Sequence, residues 1–262
     1  MLKKSYNRKS PGLWISQNYL TSGKLLDMII SRTSITKGDR VLEIGPGKGH
    51  ITRALLRIGA EVTAVELDPA LVAALKAKLG SQPGLRLIQA DIITWRLPTQ
   101  GAYKVFSNIP FHHTSAILRK LTQTFNPPKE AWLVMEYGAA KRFLGKPRES
   151  MGSLLLKPRY ELRIVHRFSR DDFHPKPSVD SVLLHIKLKI KPDITLKDWL
   201  SYTNFLNCCF LHGGLKKQLT KKQIAIALRD YGPEDCRSGN LLYVQWLCLF
   251  RCWQIYVKHK KC

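Results

Sequence analysis

The 262-residue sequence predicts an α/β fold, an open sheet whose strands alternate with helices, followed by a smaller region that is helical throughout. Three observations predict it. Short apolar runs, each closed by Gly, Asp, Asn or Pro, recur between residues 41 and 190, with helix-like stretches between several of them. The first run opens into Gly45-Pro46-Gly47-Lys48-Gly49, the layout of a strand, a glycine-rich turn and a helix. After Lys191-Pro192-Asp193 the apolar spacing becomes that of helices. The expected division is 1–190 for the α/β domain and 191–262 for the helical one.

Taken in order, the first strand is Val41 to Ile44, and the helix after its turn runs from His50 to Arg57. Glycines at 45, 47 and 49 let the backbone take positive φ and approach a ligand closely. The second strand, within Gly59 to Asp68, carries Glu66 near its end, where a ribose-binding acid is expected. A third, Leu85 to Ala90, ends in Asp91, and a fourth, Tyr103 to Ser107, delivers Asn108. Glu66 suits ribose hydroxyls and Asp91 an adenine amino group. All of these fall on the carboxyl edge of the sheet, where open α/β sheets bind ligands. Asp180 to Ile190 reads as a late strand that completes the sheet. The helical region holds Leu196 to Phe210, a break at Gly213-Gly214, a basic helix from Lys221 to Gly232, and an aromatic helix from Asn240 to His259. The last is apolar round much of its circumference, so it packs onto its neighbours.

The glycine turn excludes two common ligands. A dinucleotide fold requires G-x-G-x-x-G, and Gly45, Gly47 and Gly49 have a different final spacing. A phosphate loop requires Gly-Lys-Ser/Thr, whereas Lys48 is followed by Gly49. Glu43 beside the turn repels a polyphosphate but tolerates a cationic sulfonium or amino group.

The segment Ser107-Asn108-Ile109-Pro110-Phe111 adds a reaction to this ligand site, because it matches the N-x-P-[FY] tetrapeptide of enzymes that methylate an exocyclic amine on a nucleic-acid base. The adenine N6 amine is a poor nucleophile while its lone pair is delocalised into the ring. The Asn108 side-chain carbonyl and the backbone carbonyl after it can each accept one N–H, which aims the lone pair at a methyl donor. Pro110 fixes the chain direction, and Phe111 offers a flat face for an extruded base. Taken alone the tetrapeptide also fits an ordinary Asn turn before a buried Phe; the donor-site pattern upstream favours the functional reading.

These motifs resemble the Erm family of ribosomal RNA adenine N6-methyltransferases, which confer macrolide, lincosamide and streptogramin B resistance. The resemblance spans most of the first 190 residues. It begins at Ser16-Gln17-Asn18-Tyr19-Leu20, continues through the glycine turn, Glu66, Asp91 and Asn108, and returns at Phe173-His174-Pro175-Lys176-Pro177-Ser178-Val179-Asp180. It implies a Rossmann-like sheet and S-adenosylmethionine as cofactor, contacted by Asn18, Leu20, Gly45, Glu66, Asp91, Ile92 and Asn108. It further implies that Asn108, Pro110 and Phe111 hold the target amine, that Phe173 is a second aromatic near the flipped base, and that no metal takes part. The implied substrate is one adenosine of 23S rRNA, methylated once or twice by a monomer before the ribosome is fully assembled. A sister family that dimethylates small-subunit 16S rRNA usually reads G-Q-N/H-F-L and N-L-P-Y-N at the matching places. Ser16 and Asn108-Ile109-Pro110-Phe111-His112 lean towards Erm, as does Met151 to Pro158. A non-catalytic RNA-binding factor of the same fold is a third reading, disfavoured by the intact Asn108 segment and both acids.

Charge agrees with a polyanion partner. The formal net charge is +24, and each phosphate neutralised on a duplex contributes to affinity with a salt slope near 0.9. No apolar run of about 20 residues, basic amphipathic anchor or signal peptide is evident, so the expected compartment is the cytoplasm. The basic arm of Lys3, Lys4, Arg8 and Lys9 either orders on RNA or stays solvated, and the same alternatives hold for Lys216, Lys217, Lys221 and Lys222. All six cysteines lie beyond residue 200 without a C-x-x-C pair, which is neither a zinc ribbon nor an evident disulfide frame. Cys248 and Cys252 share a helical face and read as small buried residues.

Overall fold

The computed structural model describes residues 18–211, 214–231 and 241–256. Ser16, Gln17, the basic arm, Gly213, Cys236 and Cys262 lie outside these. The elements follow in order: β1 (Tyr19–Leu20), α1 (Gly23–Ser31), β2 (Arg40–Ile44), α2 (His50–Arg57), β3 (Glu61–Glu66), α3 (Pro69–Leu79), β4 (Leu85–Gln89), β5 (Lys104–Asn108), α4 (Thr114–Thr122), β6 (Glu130–Glu136), α5 (Tyr137–Phe143), α6 (Met151–Leu156), β7 (Tyr160–Arg167), β8 (Phe173–His174), β9 (Ser181–Leu188), α7 (Leu196–Leu211), α8 (Leu215–Gln218), α9 (Lys221–Ala227) and α10 (Tyr243–Tyr256).

A seven-stranded sheet has the order β4-β3-β2-β5-β6-β9-β7. The pairs β4-β3, β3-β2, β2-β5 and β5-β6 are parallel, so the carboxyl ends of these five strands share one edge. Central strands are covered on both faces and read as nearly continuous apolar runs. β6 is buried from Ala131 to Met135 and β9 from Ser181 to Ile186, while β4 at one edge has only half-buried and exposed positions and β7 at the other is buried only at Tyr160. Here the structure differs from the sequence reading. The late strand β9 lies inside the sheet, and Tyr160–Arg167, which the sequence left unassigned, forms the edge. An edge strand needs only partial apolar character, and Glu161, Arg163 and Arg167 interrupt the pattern.

Local chemistry sets several boundaries. Asp68 caps α3 by accepting from Ala70 N at 2.8 Å and Leu71 N at 3.4 Å, and Pro69 fills the first helical position, where its missing N–H costs nothing. Thr220 and Gln223 form a capping box at α9.

Contacts group the chain into two compact units, Met1–Glu136 with His166–Leu183, and Tyr137–Val165 with Leu184–Cys262. The division therefore runs through β7 and β9, whereas the change in sequence periodicity lies at 190/191. Within the second unit, Tyr202, Phe205 and Phe250 are essentially fully buried. Their rings meet at 5.0 Å for Tyr202–Phe250 and 5.7 Å for Phe205–Phe250, with Trp253 5.7 Å from Phe205; such ring pairs contribute about 1 kcal/mol each beyond burial. Asp193 accepts from the Tyr243 hydroxyl and from Lys189, both at 2.6 Å. Cys252 packs in this core and Cys248 at its margin, both as free thiols. Cys208 is disulfide-bonded, a bridge that the cysteine spacing did not disclose.

Candidate active site at the strand ends

The turn after β2 is shaped by positive φ at Gly45, Gly47 and Gly49, at 63°, 54° and 78°. These are left-handed values that a side chain opposes. Gly45 N donates to Val65 O at 2.9 Å, which ties the turn to β3. A Cβ on Gly45 meets nothing within 4 Å, so open space lies beside it. A Cβ on Gly47 collides with the ring of Tyr19, and one on Gly49 comes within 2.6 Å of Leu75 Cδ2.

Glu66 ends β3 and is 3 % exposed. Its Oε2 accepts from Gly47 N at 3.1 Å, and its Oε1 from Leu67 N at 2.9 Å and Asp68 N at 3.1 Å. Three N–H donors hold the carboxylate at one position beneath the turn, and Oε2 keeps a lone pair. Asp91 follows β4; its Oδ1 accepts from Ile93 N at 2.8 Å, leaving Oδ2 outside that turn. Ile92 beside it is half-buried. Glu43, in β2, is 1 % exposed. Burial pushes its carboxyl up to about 8, the Glu66 carboxylate adds to the rise, and Thr52 opposes it. Neither Glu43 Oε2 nor Thr52 Oγ1 completes a hydrogen bond among the described residues.

Asn108 ends β5, held against β2 by the Ser107 hydroxyl donating to Ile44 O and against β6 by the register Asn108↔Val134. Its amide nitrogen donates to Asn18 O at 2.6 Å. A carbonyl partner accepts only from nitrogen, so this bond assigns the amide orientation. No donor among the described residues takes Asn108 Oδ1, which leaves an acceptor at the strand end. Pro110 takes φ −60° and leads into a helical turn, Phe111–His113, with Phe111 half-buried.

Asn18, Gly45, Asn108, Pro110 and Phe111 come together around one cavity of about 30 Å³, with Tyr19 and Ile109, room for a water or two. Glu66, bonded to Gly47 beneath the Tyr19 ring, does not itself line it, and Asp91 and Ile92 lie two strands away from the Gly45 turn and do not line it. Leu20 and Phe173 are paired in register where β1 meets β8, at 1 % and 3 % exposure. The Phe173 ring lies 5.3 Å from Phe168 in an edge contact and is not part of the cavity. It therefore presents no free face to a base in this conformation. The pairing does explain why two distant motifs occur in one chain: they form the same two-stranded ribbon.

Sequence reasoning missed Tyr19 as a lining residue. Its ring covers Gly47, Lys48 Nζ lies 5.0 Å from the ring centroid, and burial followed by Glu66 and Asp68 raises its hydroxyl pKa. An aromatic between Asn18 and Leu20 is the only signal the sequence carries, since nothing in it shows that the segment crosses the glycine turn.

A glycine turn, two strand-end acids and an Asn-Ile-Pro-Phe corner stand on neighbouring parallel strands, the arrangement expected of an enzyme that methylates an adenine amine on nucleic acid. The pattern of the family described as ribosomal RNA adenine dimethylase matches residues 14–226. An rRNA adenine N-6-methyltransferase of Limosilactobacillus reuteri is 33 % identical over 241 residues, covering 92 % of this chain and 96 % of the relative. The chain belongs to the ribosomal RNA adenine dimethylase family and, within it, to the Erm group; it is an rRNA adenine N6-methyltransferase. An Escherichia coli rRNA adenine N-6-methyltransferase is 32 % identical with the same coverage, 92 % and 96 %. Among solved structures, the 23S rRNA methyltransferase ErmE superposes with TM-score 0.79 at 26 % identity, covering 90 % of this chain and 100 % of that one. A dimethyladenosine transferase from Plasmodium falciparum gives 0.70 at 25 % identity, over 88 % and 95 %.

Proposed function

We propose that this protein methylates N6 of one adenosine of 23S rRNA, once or twice, and thereby confers macrolide, lincosamide and streptogramin B resistance. The observation that carries the site assignment is the order of the strand ends. Asp91, Glu66, the Gly45 turn and Asn108 stand on β4, β3, β2 and β5, four neighbours spanning about 14 Å at the usual strand spacing. That order suits adenine, ribose, the amino-acid part of S-adenosylmethionine and the target amine.

The residues fit that cofactor. Space beside Gly45 admits a chain, and the two acids Glu43 and Glu66 flank the turn, one with an unpartnered oxygen. Asp91 and Ile92 hold the adenine, Glu66 accepts from the ribose, and Asn18, Leu20 and Gly45 enclose the rest. When bound, S-adenosylmethionine supplies an electrophilic methyl group. Asn108 Oδ1 accepts one N6 hydrogen, so the nitrogen lone pair is localised towards that methyl, and Pro110 keeps the corner rigid. Phe111 stacks on the extruded base. The proton leaves the methylated ammonium to water, so no general base is needed; positioning is the protein's contribution. We assign Phe173 to the second aromatic of the base site, reached once β1 and β8 adjust around the substrate, and residues 191–262 to a helical domain. The protein acts as a monomer in the cytoplasm on rRNA not yet fully assembled. No group of three or more His, Cys, Asp or Glu among the described residues is arranged to hold a metal, and no described helix is long and apolar enough to cross a membrane.

The test is transfer of labelled methyl to protein-free 23S and 16S rRNA, with the modified base mapped. Label at N6 of one 23S adenosine is expected; label on 16S alone assigns the protein to the small-subunit reaction.

Gly47→Ala is expected to weaken S-adenosylmethionine binding at least tenfold by calorimetry. The substitution costs about 1 kcal/mol in backbone strain and drives the new methyl into Tyr19. Adding Tyr19→Ala removes the collision but not the strain, so the double variant is expected to recover part of the loss; an additive pair contradicts the packing.

A further inference from the structure

Phe125 is 97 % exposed, more than any other large hydrophobic residue described. Its loop is held on both sides. Asn126 Nδ2 donates to Pro98 O at 3.1 Å and Gly101 O at 3.0 Å, and the Tyr103 hydroxyl donates to Asn126 O at 3.2 Å. Lys129 N donates to Tyr103 O at 2.9 Å. The ring is thus presented to water by an anchored backbone.

The loop precedes β6 and packs on the segment that precedes β5, which places it on the amino edge of the sheet, opposite the Asn108 edge. The five residues of β5 separate the edges by about 16 Å. Cations gather beside it. The Arg40 guanidinium, at the start of β2, lies against Gly101, and Lys37 covers Gly59; Arg40, Lys37 and Lys129 are exposed. Asp39 on this edge is already paired with Lys104 at 2.8 Å, and Glu130 accepts from Ser34 at 2.9 Å. Glu61, the register partner of Arg40, remains as an exposed acid.

We propose that this edge is a second RNA-binding surface, on which an unpaired base of the rRNA substrate stacks on Phe125 while its flanking phosphates meet Arg40 and Lys129. A protein partner covers a patch of apolar groups, and no other large hydrophobic residue is exposed in the Phe125 loop or in the Leu97–Tyr103 segment it packs on. A single ring among unpaired cations is instead the arrangement that takes one base and its backbone. The inference rests on RNA being the substrate, and adds a contact remote from the reacting base.

The experiment compares Phe125→Ala and Phe125→Trp with the wild-type protein in two ways: direct affinity for protein-free rRNA, and KM and kcat for methyl transfer to that rRNA and to a short hairpin carrying only the target loop. Phe125→Ala is expected to weaken affinity for the long RNA and to raise its KM about tenfold, with kcat within about twofold, while leaving the hairpin unaffected. Phe125→Trp is expected to retain wild-type values. Arg40→Ala and Lys129→Ala are each expected to lower the salt slope by about 0.7, the value for a single-stranded phosphate contact. Unchanged long-RNA affinity in Phe125→Ala overturns the proposal. So does an equal loss on the hairpin, which indicates a general structural effect, or a loss seen only when ribosomal proteins are present, which identifies a protein partner. Failure of the wild-type protein to label 23S rRNA counts against the proposed function alone, because the affinity comparison needs no catalysis.

Discussion

Replacing Asn108 with alanine is expected to reduce methyl transfer by about a thousandfold or more while changing rRNA affinity less than about threefold. The catalytic loss follows from the loss of Oδ1, the acceptor proposed to localise the amine lone pair; removing one preorganised polar group from a reacting centre typically costs a factor of a hundred to a thousand, about 3–4 kcal/mol. Misplacement of the amine adds to this. Affinity is expected to survive because it is dominated by phosphate contacts spread over a strongly basic chain. Single-turnover rates and filter-binding affinities separate the two quantities. Asn108→Asp is the sharper variant: its carboxylate keeps an acceptor but places a second oxygen against Asn18 O, where Asn108 now donates at 2.6 Å. It is expected to lose most of the activity too. Normal turnover by either variant contradicts the assigned mechanism.

Glu43→Gln is expected to stabilise the fold and to weaken cofactor binding, both at alkaline pH. The Glu43 carboxyl is raised from its ordinary 4.5 to about 8, chiefly by burial. Between those values the folded protein holds a proton that the unfolded chain has released. Stability from the neutral carboxyl is therefore fully present below about 4.5, falls as pH rises and is lost above about 8, a change on the order of 5 kcal/mol. Glutamine is neutral throughout, and Thr52 is the neighbour that acts on this carboxyl. Urea midpoints of variant and wild type are expected to agree near pH 4 and to separate by pH 9 in favour of the variant. An equal difference at both pH values contradicts the assignment to Glu43. The same change removes a negative charge beside a cationic ligand only where Glu43 is ionised, so lower S-adenosylmethionine affinity is expected to accompany the higher stability above about pH 8 and not below it.

The ligand edge was legible in the residues because it depends on local geometry. Glycine at 45, 47 and 49 is readable since only glycine takes those φ values without strain, and an acid at the end of a strand is placed by the strand itself. Glu66 and Asn108 accordingly stand at the ends of β3 and β5, with Asp91 just beyond β4. Other features were not legible, for different reasons. The edge strand Tyr160–Arg167 has too little apolar alternation to stand out. Tyr19 becomes part of the site only because β1 pairs with β8, a contact between residues 19 and 174 that no local pattern encodes. Phe173, which the resemblance implies to be an aromatic near the flipped base, is buried at that same ribbon.

The sequence by itself determined the α/β class and the strand-end positions of the acids and of Asn108, because each follows from backbone propensity and side-chain type within a few residues. Only the tertiary structure decided which strand ends are neighbours, which way the Asn108 amide points, that Glu43 is buried without a partner, and that Phe125 stands in water on the opposite edge. Those properties depend on strand order and on burial, both of which arise from contacts between segments far apart in the chain.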